Sequence, residues 1–369
     1  MEASLFRIVS PDGKVDEIIE PRLSEAELRR IFVALLKVRL LDDRMLVLQR
    51  QGSVGFYVPS TGEEASQVGS AYVLEKDDWV FPAYREPGAA IVKGAPLKAI
   101  VAQVYGLATD ESKGRQMPSH MGYRNINLVT PSSPIGTQIP MAVGAAMAMS
   151  LGNQRSVSLV YFGDGATSSA DFHVSMNFAG VFKAPCIFFC KNNQWAISLP
   201  VSRQTAAQSI AVKAMAYGFQ GVRVDGNDVL AVYLVTKNAV EEARAGKGPT
   251  LIEAVTYRMG PHSSSDDPSR YRDAKDVEEW RRRDPISRFR LYLESKGFWS
   301  ESWESEVRLE IEDELNAAIK ENESAARPSI DTLFTDVYSE MPWNLKEQMQ
   351  EALNRSRTRK EEPGENFPL

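Results

Sequence analysis

The sequence predicts an α/β protein: a parallel sheet flanked by helices, with an N-terminal arm and a helical C-terminal region. Three observations carry this. Short apolar runs alternate with stretches of helical periodicity through the middle of the chain, the pattern of strands joined by crossover helices. Two polar clusters, Gly163-Asp164-Gly165 and Asn192-Asn193, each follow directly on an apolar run, at 157–162 and 186–190, with a helical segment at 170–182 between them. After Gly260 the texture changes to a polar loop and then to helical periodicity alone.

In chain order, residues 1–22 read as an irregular arm. Ser24 with Glu27 three positions on forms a capping box, and the stripe Leu28, Ile31, Phe32, Leu35, Leu36 and Val38 predicts a helix to about residue 51. A second helix is expected over 61–74, a short strand over 79–82, and a helix over 96–106 with Pro96 in its first turn. Residues 108–135 show no element, and a stretch this long without one is usually functional. The helix expected over 138–150 carries Ala142, Gly144, Ala145, Ala146 and Ala148, small residues suited to close packing on the sheet or on another subunit. The strand-turn-helix-strand unit at 157–193 follows, then a strand within 218–226, a helix over 229–246 and a strand over 249–258. Beyond the polar stretch 261–272, helices are expected over 274–283, 285–296 and 301–323. The last has a core stripe at Val307, Ile311, Leu315, Ala318 and Ile319. This divides the chain into the arm 1–22, an α/β domain 23–270, a helical region 271–353 of the same unit, and a charged tail 354–369.

Composition excludes several classes. A chain of 369 residues with 43% hydrophobic content can bury a large core, and a net charge of −6 without a basic stripe argues against nucleic-acid binding. No apolar run approaches the ~18 residues of a membrane span. An acidic N-terminus without a signal-like core points to the cytoplasm. Cys186 and Cys190, four apart in one strand, point to one face and are expected as buried free thiols. Three histidines, His120, His173 and His262, make a zinc site improbable. No G-x-G-x-x-G follows a first strand, which argues against a dinucleotide-binding fold.

The chemistry concentrates at 163–193. Both polar clusters are expected just past the carboxyl ends of neighbouring parallel strands, where open α/β sheets bind ligands. One carboxylate and one amide delivered there suit Mg²⁺, which takes few protein oxygens and fills its shell with phosphate oxygens and water. The flanking glycines allow a sharp turn and a close approach to phosphate. Either cluster alone is a common loop sequence; both together, each after an apolar strand, form a site.

The Gly-Asp-Gly and the Asn-Asn about thirty residues later resemble the thiamine diphosphate signature. The likeness extends to Tyr84-Arg85-Glu86, residues 114–120, 132–140, 224–228 and 257–263, and to 334–342. Over roughly 25–345 the chain resembles the α subunit of a thiamine-diphosphate-dependent 2-oxo acid dehydrogenase E1 component, most closely the branched-chain type. The resemblance implies the thiamine-diphosphate-binding fold and a set of roles. Asp164, Asn193 and the Trp195 carbonyl would ligate Mg²⁺. Gly165 and Ala166 would line the diphosphate at the start of the helix near 168. Tyr84 and Arg85 would hold phosphate oxygens, and Ser133 and Ile135 would contact the aminopyrimidine and the bend of the cofactor. Ser132, Pro134, Thr137 and Gln138 match a loop that binds K⁺ in relatives. His262 would sit beside the diphosphate as an acid/base or acyl-transfer residue.

Lys191 departs from the family, standing where branched-chain relatives commonly have Arg; it can still meet a phosphate, but not bidentately. Trp195 replaces a usual Tyr, and Ser169-Ala170 a usual Glu-Gly. Ser263 aligns with the main regulatory serine of some relatives, whereas Asp273 stands where some carry a second. The implied activity is oxidative decarboxylation of a branched 2-oxo acid with acylation of the lipoyl group of an E2 partner. Pyruvate or acetoin dehydrogenase is the alternative, and a non-catalytic scaffold subunit a further one. The glutamate that activates the cofactor would come from a β subunit, implying an α₂β₂ assembly. Phe56, Tyr57 and Trp195 are large residues that could shape the substrate pocket.

Overall fold

The computed structural model describes residues 5–358. Helix α1 (Glu25–Arg50) begins at the expected capping box: Ser24 Oγ accepts the Glu27 N–H, and the Glu27 carboxylate accepts the Ser24 N–H at 2.8 Å. Helix α2 (Glu64–Ala71) starts later than expected because Gly62 turns the chain at φ 98°. Strand β1 (Trp79–Phe81) is followed by α3 (Pro87–Lys93), a helix the periodicity does not reveal because seven residues are too few to show a stripe. Its punctuation is nevertheless regular, with Pro87 in its first turn and Gly94 left-handed at its end. After α4 (Leu97–Tyr105), residues 108–135 carry only a 3₁₀ turn at Arg124–Ile126, and they touch the sheet edge where Leu128 bridges Val80.

The central unit follows as α5 (Gln138–Leu151), β2 (Ser158–Gly163), α6 (Ala170–Phe182) and β3 (Cys186–Asn192). A two-residue ladder, β4 (Trp195–Ala196) with β5 (Leu199–Pro200), and the one-turn α7 (Val201–Gln204) were not predicted. Then come β6 (Gln220–Asp225), α8 (Val229–Arg244) and β7 (Thr250–Val255). The C-terminal helices are α9 (Ala274–Arg281), α10 (Pro285–Ser295), α11 (Glu301–Glu323), α12 (Thr332–Thr335) and α13 (Trp343–Thr358). Helix α13 takes in residues 354–358, the start of the segment expected as a tail, and 359–369 lie outside the described residues.

The sheet is parallel, in the order β1-β2-β3-β7-β6. Alternate side chains of its strands feed two cores. Leu159, Tyr161, Ile187 and Phe189 pack toward α1, α2, α4 and α8, while Val160, Phe162, Phe188 and both cysteines pack toward α5 and α6. Cys186 and Cys190 are free and buried, as expected. Helices α10 and α11 join the first core, where Phe32 meets Phe289 and Trp303. The arm is tied down as well. Phe6 bridges Val224 at the sheet edge, and Asp228 accepts the Ile8 and Val9 N–H groups at 2.7 Å each. No helix among the described residues is long and apolar enough to cross a membrane.

Candidate active site

In the β2–β3 register, Gly163 lies opposite Lys191. Asp164 therefore leaves one strand end and Asn193 the neighbouring one, as the spacing predicted. Both face a cavity of about 510 Å³ at the carboxyl edge of the sheet. Tyr84, Arg85, Ser133, Ile135, Gly165, Ala166, Lys191, Trp195 and His262 line the same cavity, so residues spread over nearly 180 positions converge on one site.

Asp164 is 1% exposed, its Oδ2 has no hydrogen-bond partner, and burial pushes its carboxyl up to about 7. A buried carboxylate oxygen without a donor is costly unless a cation meets it. Asn193 is held at both ends: its Nδ2 donates to Glu63 Oε1 at 2.8 Å, and its Oδ1 accepts the Trp195 N–H at 3.2 Å. The Trp195 carbonyl accepts from Arg258 Nη1 at 3.2 Å. Gly165 needs its missing side chain, because a Cβ there would come within 2.8 Å of Ala196 Cβ. Gly165 and Ala166 belong to a 3₁₀ turn, Asp164–Ser168, and not to the first turn of α6 as expected. Ser169 is extended and caps α6 separately through the Phe172 N–H, so the backbone facing the cavity comes from the 3₁₀ turn.

Lys191 is fully engaged inside the protein. Its ammonium lies 2.6 Å from Glu86 and 3.1 Å from Glu63, and it donates to the Arg85 carbonyl at 2.9 Å. Burial would lower its pKa, but the two carboxylates outweigh that and raise it. Glu63 mirrors this: burial would raise its carboxyl, while Lys191 and Arg85 hold it below the usual range. Its one hydrogen bond and both ion pairs point into the protein, so the phosphate contact expected of Lys191 would require the ammonium to turn away from these carboxylates.

Arg85 donates to the carbonyls of Pro59 and of His262, the latter at 2.8 Å. His262 Nδ1 lies 3.4 Å from both Arg85 Nη2 and Arg258 Nη1. Burial and these two cations depress its pKa to about 4, so the imidazole is neutral at pH 7. Since both guanidinium groups only donate, Nδ1 accepts and the ring proton sits on Nε2. The loop after Gly260 is built around Arg258. Arg258 Nη2 donates to the Tyr271 hydroxyl at 2.8 Å, that hydroxyl donates to Asp266, and Asp266 accepts the His262 N–H at 2.7 Å. Ser263, in the same loop, is 8% exposed.

Residues 132–138 divide. The Ser132 and Thr137 hydroxyls bond each other, and Thr137 donates to the Pro134 carbonyl at 3.2 Å. Gln138 instead turns inward, its Nε2 donating to the Tyr161 carbonyl at 2.8 Å. Phe56 and Trp195 line the cavity, but Tyr57 does not, because its hydroxyl is drawn to Asp42 at 2.8 Å. Sequence reasoning assigned no role to Glu63, Glu86, His120 or Arg258, all of which line the cavity. His120 Nε2 is hydrogen-bonded to the Ser133 hydroxyl at 3.0 Å, and its ring stacks on Tyr84. Its place in the matching stretch 114–120 was the available signal.

A buried acid, an amide held at both ends and cations around one cavity at the end of a parallel sheet suit the binding of an anionic ligand. A match to the dehydrogenase E1 component family spans residues 34–331, and the chain belongs to that family. Within it, the chain is similar to α subunits. It is 44% identical over 362 residues to the 3-methyl-2-oxobutanoate dehydrogenase subunit alpha of Mycobacterium tuberculosis, covering 94% of this chain and 92% of that one. It is 43% identical over 347 residues to the mitochondrial 2-oxoisovalerate dehydrogenase subunit alpha 2 of Arabidopsis thaliana, covering 93% and 73%. It is 42% identical over 367 residues to the mitochondrial human 2-oxoisovalerate dehydrogenase subunit alpha, covering 99% and 82%.

The family implies thiamine diphosphate, and the residues fit its metal-bound form. The unpartnered Asp164 oxygen is an observation of this fold that a cation would answer. Among the described residues no group of three or more His, Cys, Asp or Glu side chains could hold a metal. A carboxylate, an amide oxygen and a backbone carbonyl are instead the hard, sparse ligand set that Mg²⁺ accepts.

Proposed function

We propose that this chain is the α subunit of a branched-chain 2-oxo acid dehydrogenase E1 component, working with Mg²⁺ and thiamine diphosphate in an α₂β₂ assembly. The observation that carries the reading is the buried Asp164 carboxylate, whose Oδ2 has no hydrogen-bond partner, beside Asn193 in one cavity with Arg85 and His262. When bound, the cofactor supplies the carbanion chemistry that decarboxylates a 2-oxo acid and passes the acyl group to lipoyl. Asp164, Asn193 and the Trp195 carbonyl hold Mg²⁺, with Arg258 giving up the carbonyl it now occupies. Gly165, Ala166, Tyr84 and Arg85 hold the diphosphate, and Ser133 and Ile135 lie against the rest of the cofactor. His262, neutral and carrying its proton on Nε2, can offer that N–H as a hydrogen bond to the oxygen of the reacting acyl group during acyl transfer.

The branched-chain substrate is supported by the names of the relatives and by the apolar lining at Phe56 and Trp195. The activating glutamate is assigned to the β subunit, since Glu63 and Glu86 are committed to Lys191. The lipoyl domain of E2 is the acyl acceptor. A K⁺ ion at Ser132, Pro134, Thr137 and Gln138 belongs to the same reading, and it would require Gln138 to leave the Tyr161 carbonyl. So does a cytoplasmic setting, supported by two free thiols, although the Arabidopsis and human relatives are named mitochondrial. The direct test is Asp164→Ala in the complex. Mg²⁺-dependent binding of thiamine diphosphate should be lost, and unchanged affinity would sink the metal assignment.

A further inference from the structure

We propose that Glu63 is a positioning residue for the metal site: its carboxylate decides which end of the Asn193 amide faces the cavity. The proposal rests on the reading of Asp164 and Asn193 as metal ligands. An amide can ligate a cation only through its oxygen, and nothing within an asparagine side chain chooses the oxygen over the nitrogen. Here two neighbours of fixed polarity choose. Glu63 Oε1, 2.8 Å from Nδ2, belongs to an ion-paired carboxylate that can only accept. The Trp195 N–H, 3.2 Å from Oδ1, can only donate. A flipped amide would set oxygen against carboxylate and N–H against N–H. The native orientation leaves a second lone pair on Oδ1 for the metal.

Glu63 is itself fixed. It is 0% exposed, and Gly62 delivers it from a φ of 98°. At that glycine a Cβ would fall 2.4 Å from the Tyr257 carbonyl, and the Gly62 carbonyl accepts Thr256 Oγ1 at 2.8 Å. Lys191 then ties Glu63 at 3.1 Å to the strand that leads into Asn193. On this account Lys191 serves the metal site by holding Glu63 in place. Partners that orient a ligand in this way typically affect metal affinity by about 10–100-fold.

The experiment uses the chain purified with its β partner. Mg²⁺ is titrated at fixed thiamine diphosphate, read by tryptophan fluorescence, alongside the Tm of the metal-free complex. Glu63→Gln keeps the shape but can present a donor, so it no longer dictates the flip. The expected result is a rise of about tenfold or more in half-saturating Mg²⁺, with the metal-free Tm within a few degrees of wild type. Asn193→Asp alone sets two carboxylates face to face and should weaken Mg²⁺ more. Combining Asn193→Asp with Glu63→Gln reverses the polarity of the hydrogen bond and should recover affinity over Asn193→Asp alone. A merely structural role predicts additive damage, which would overturn the proposal, as would wild-type Mg²⁺ affinity in Glu63→Gln. Should Glu63→Gln fail to fold, Glu63→Asp keeps the charge for Lys191 but withdraws the acceptor, and the same shift is expected. Asp164→Ala runs in parallel. If it abolishes Mg²⁺ dependence while Glu63→Gln does not change it, only the positioning role fails; if neither changes it, the metal site itself is wrong.

Discussion

At the residue scale, His262 is the group whose protonation the fold most clearly changes. Its folded pKa, about 4, lies below the ordinary 6.5 because of burial and the cations Arg85 and Arg258. The unfolded chain therefore takes up the proton first as pH falls. The stabilising contribution is complete above 6.5 and is lost between about 6.5 and 4. Urea unfolding of wild type and of His262→Gln across that window should show an extra loss in wild type that the variant lacks. His262→Ala should leave cofactor binding largely intact and slow acyl transfer to lipoyl by about 100-fold or more; normal transfer would remove His262 from the mechanism. Asp164 and Asn193 were legible because each follows directly on an apolar strand. Glu63 was not, since Glu63-Glu64 reads as an ordinary acidic first turn. Its meaning comes from Asn193 and Lys191, about 130 positions away, and periodicity carries no information about such partners.

At the element scale, the strands and long helices were legible because their apolar spacing is unbroken. The features missed are short, as with α3, α7, α12 and the β4–β5 ladder, or mostly polar, as with α13, whose 16 residues carry no sustained apolar stripe. The ladder follows from the turn after Asn193, where Gln194 and Ile197 take positive φ, and neither residue type announces that conformation. The anchoring of the arm was also hidden. Asp228 caps α8 through the Leu230 and Ala231 N–H groups while accepting Ile8 and Val9 on its other oxygen. Asp228→Ala should therefore cost more than a lost cap of about 1 kcal/mol, because two buried N–H groups of the arm lose their acceptor at about 1 kcal/mol or more each. A loss of roughly 3 kcal/mol in denaturant unfolding is expected; a loss near 1 would mean that the arm finds other partners.

At the scale of the whole molecule, the chain presents an apolar surface that a subunit partner would cover. The helix expected to make such a contact, α5, exposes Met141, but the larger share comes from its neighbour α6, where Val174, Phe178, Val181 and Phe182 are all about half exposed or more. Phe178→Asp should weaken association with the β subunit, measured by size-exclusion chromatography with light scattering; undiminished assembly would place the interface elsewhere. Every role assigned above converges on one activity. The most direct measurement is a substrate panel on the native complex, purified through this chain and supplied with thiamine diphosphate and Mg²⁺. Dye reduction would be followed with 3-methyl-2-oxobutanoate, 4-methyl-2-oxopentanoate, pyruvate and acetoin. The two branched acids should turn over well above the others. Preference for pyruvate or acetoin, or no turnover despite a bound β subunit, would contradict it.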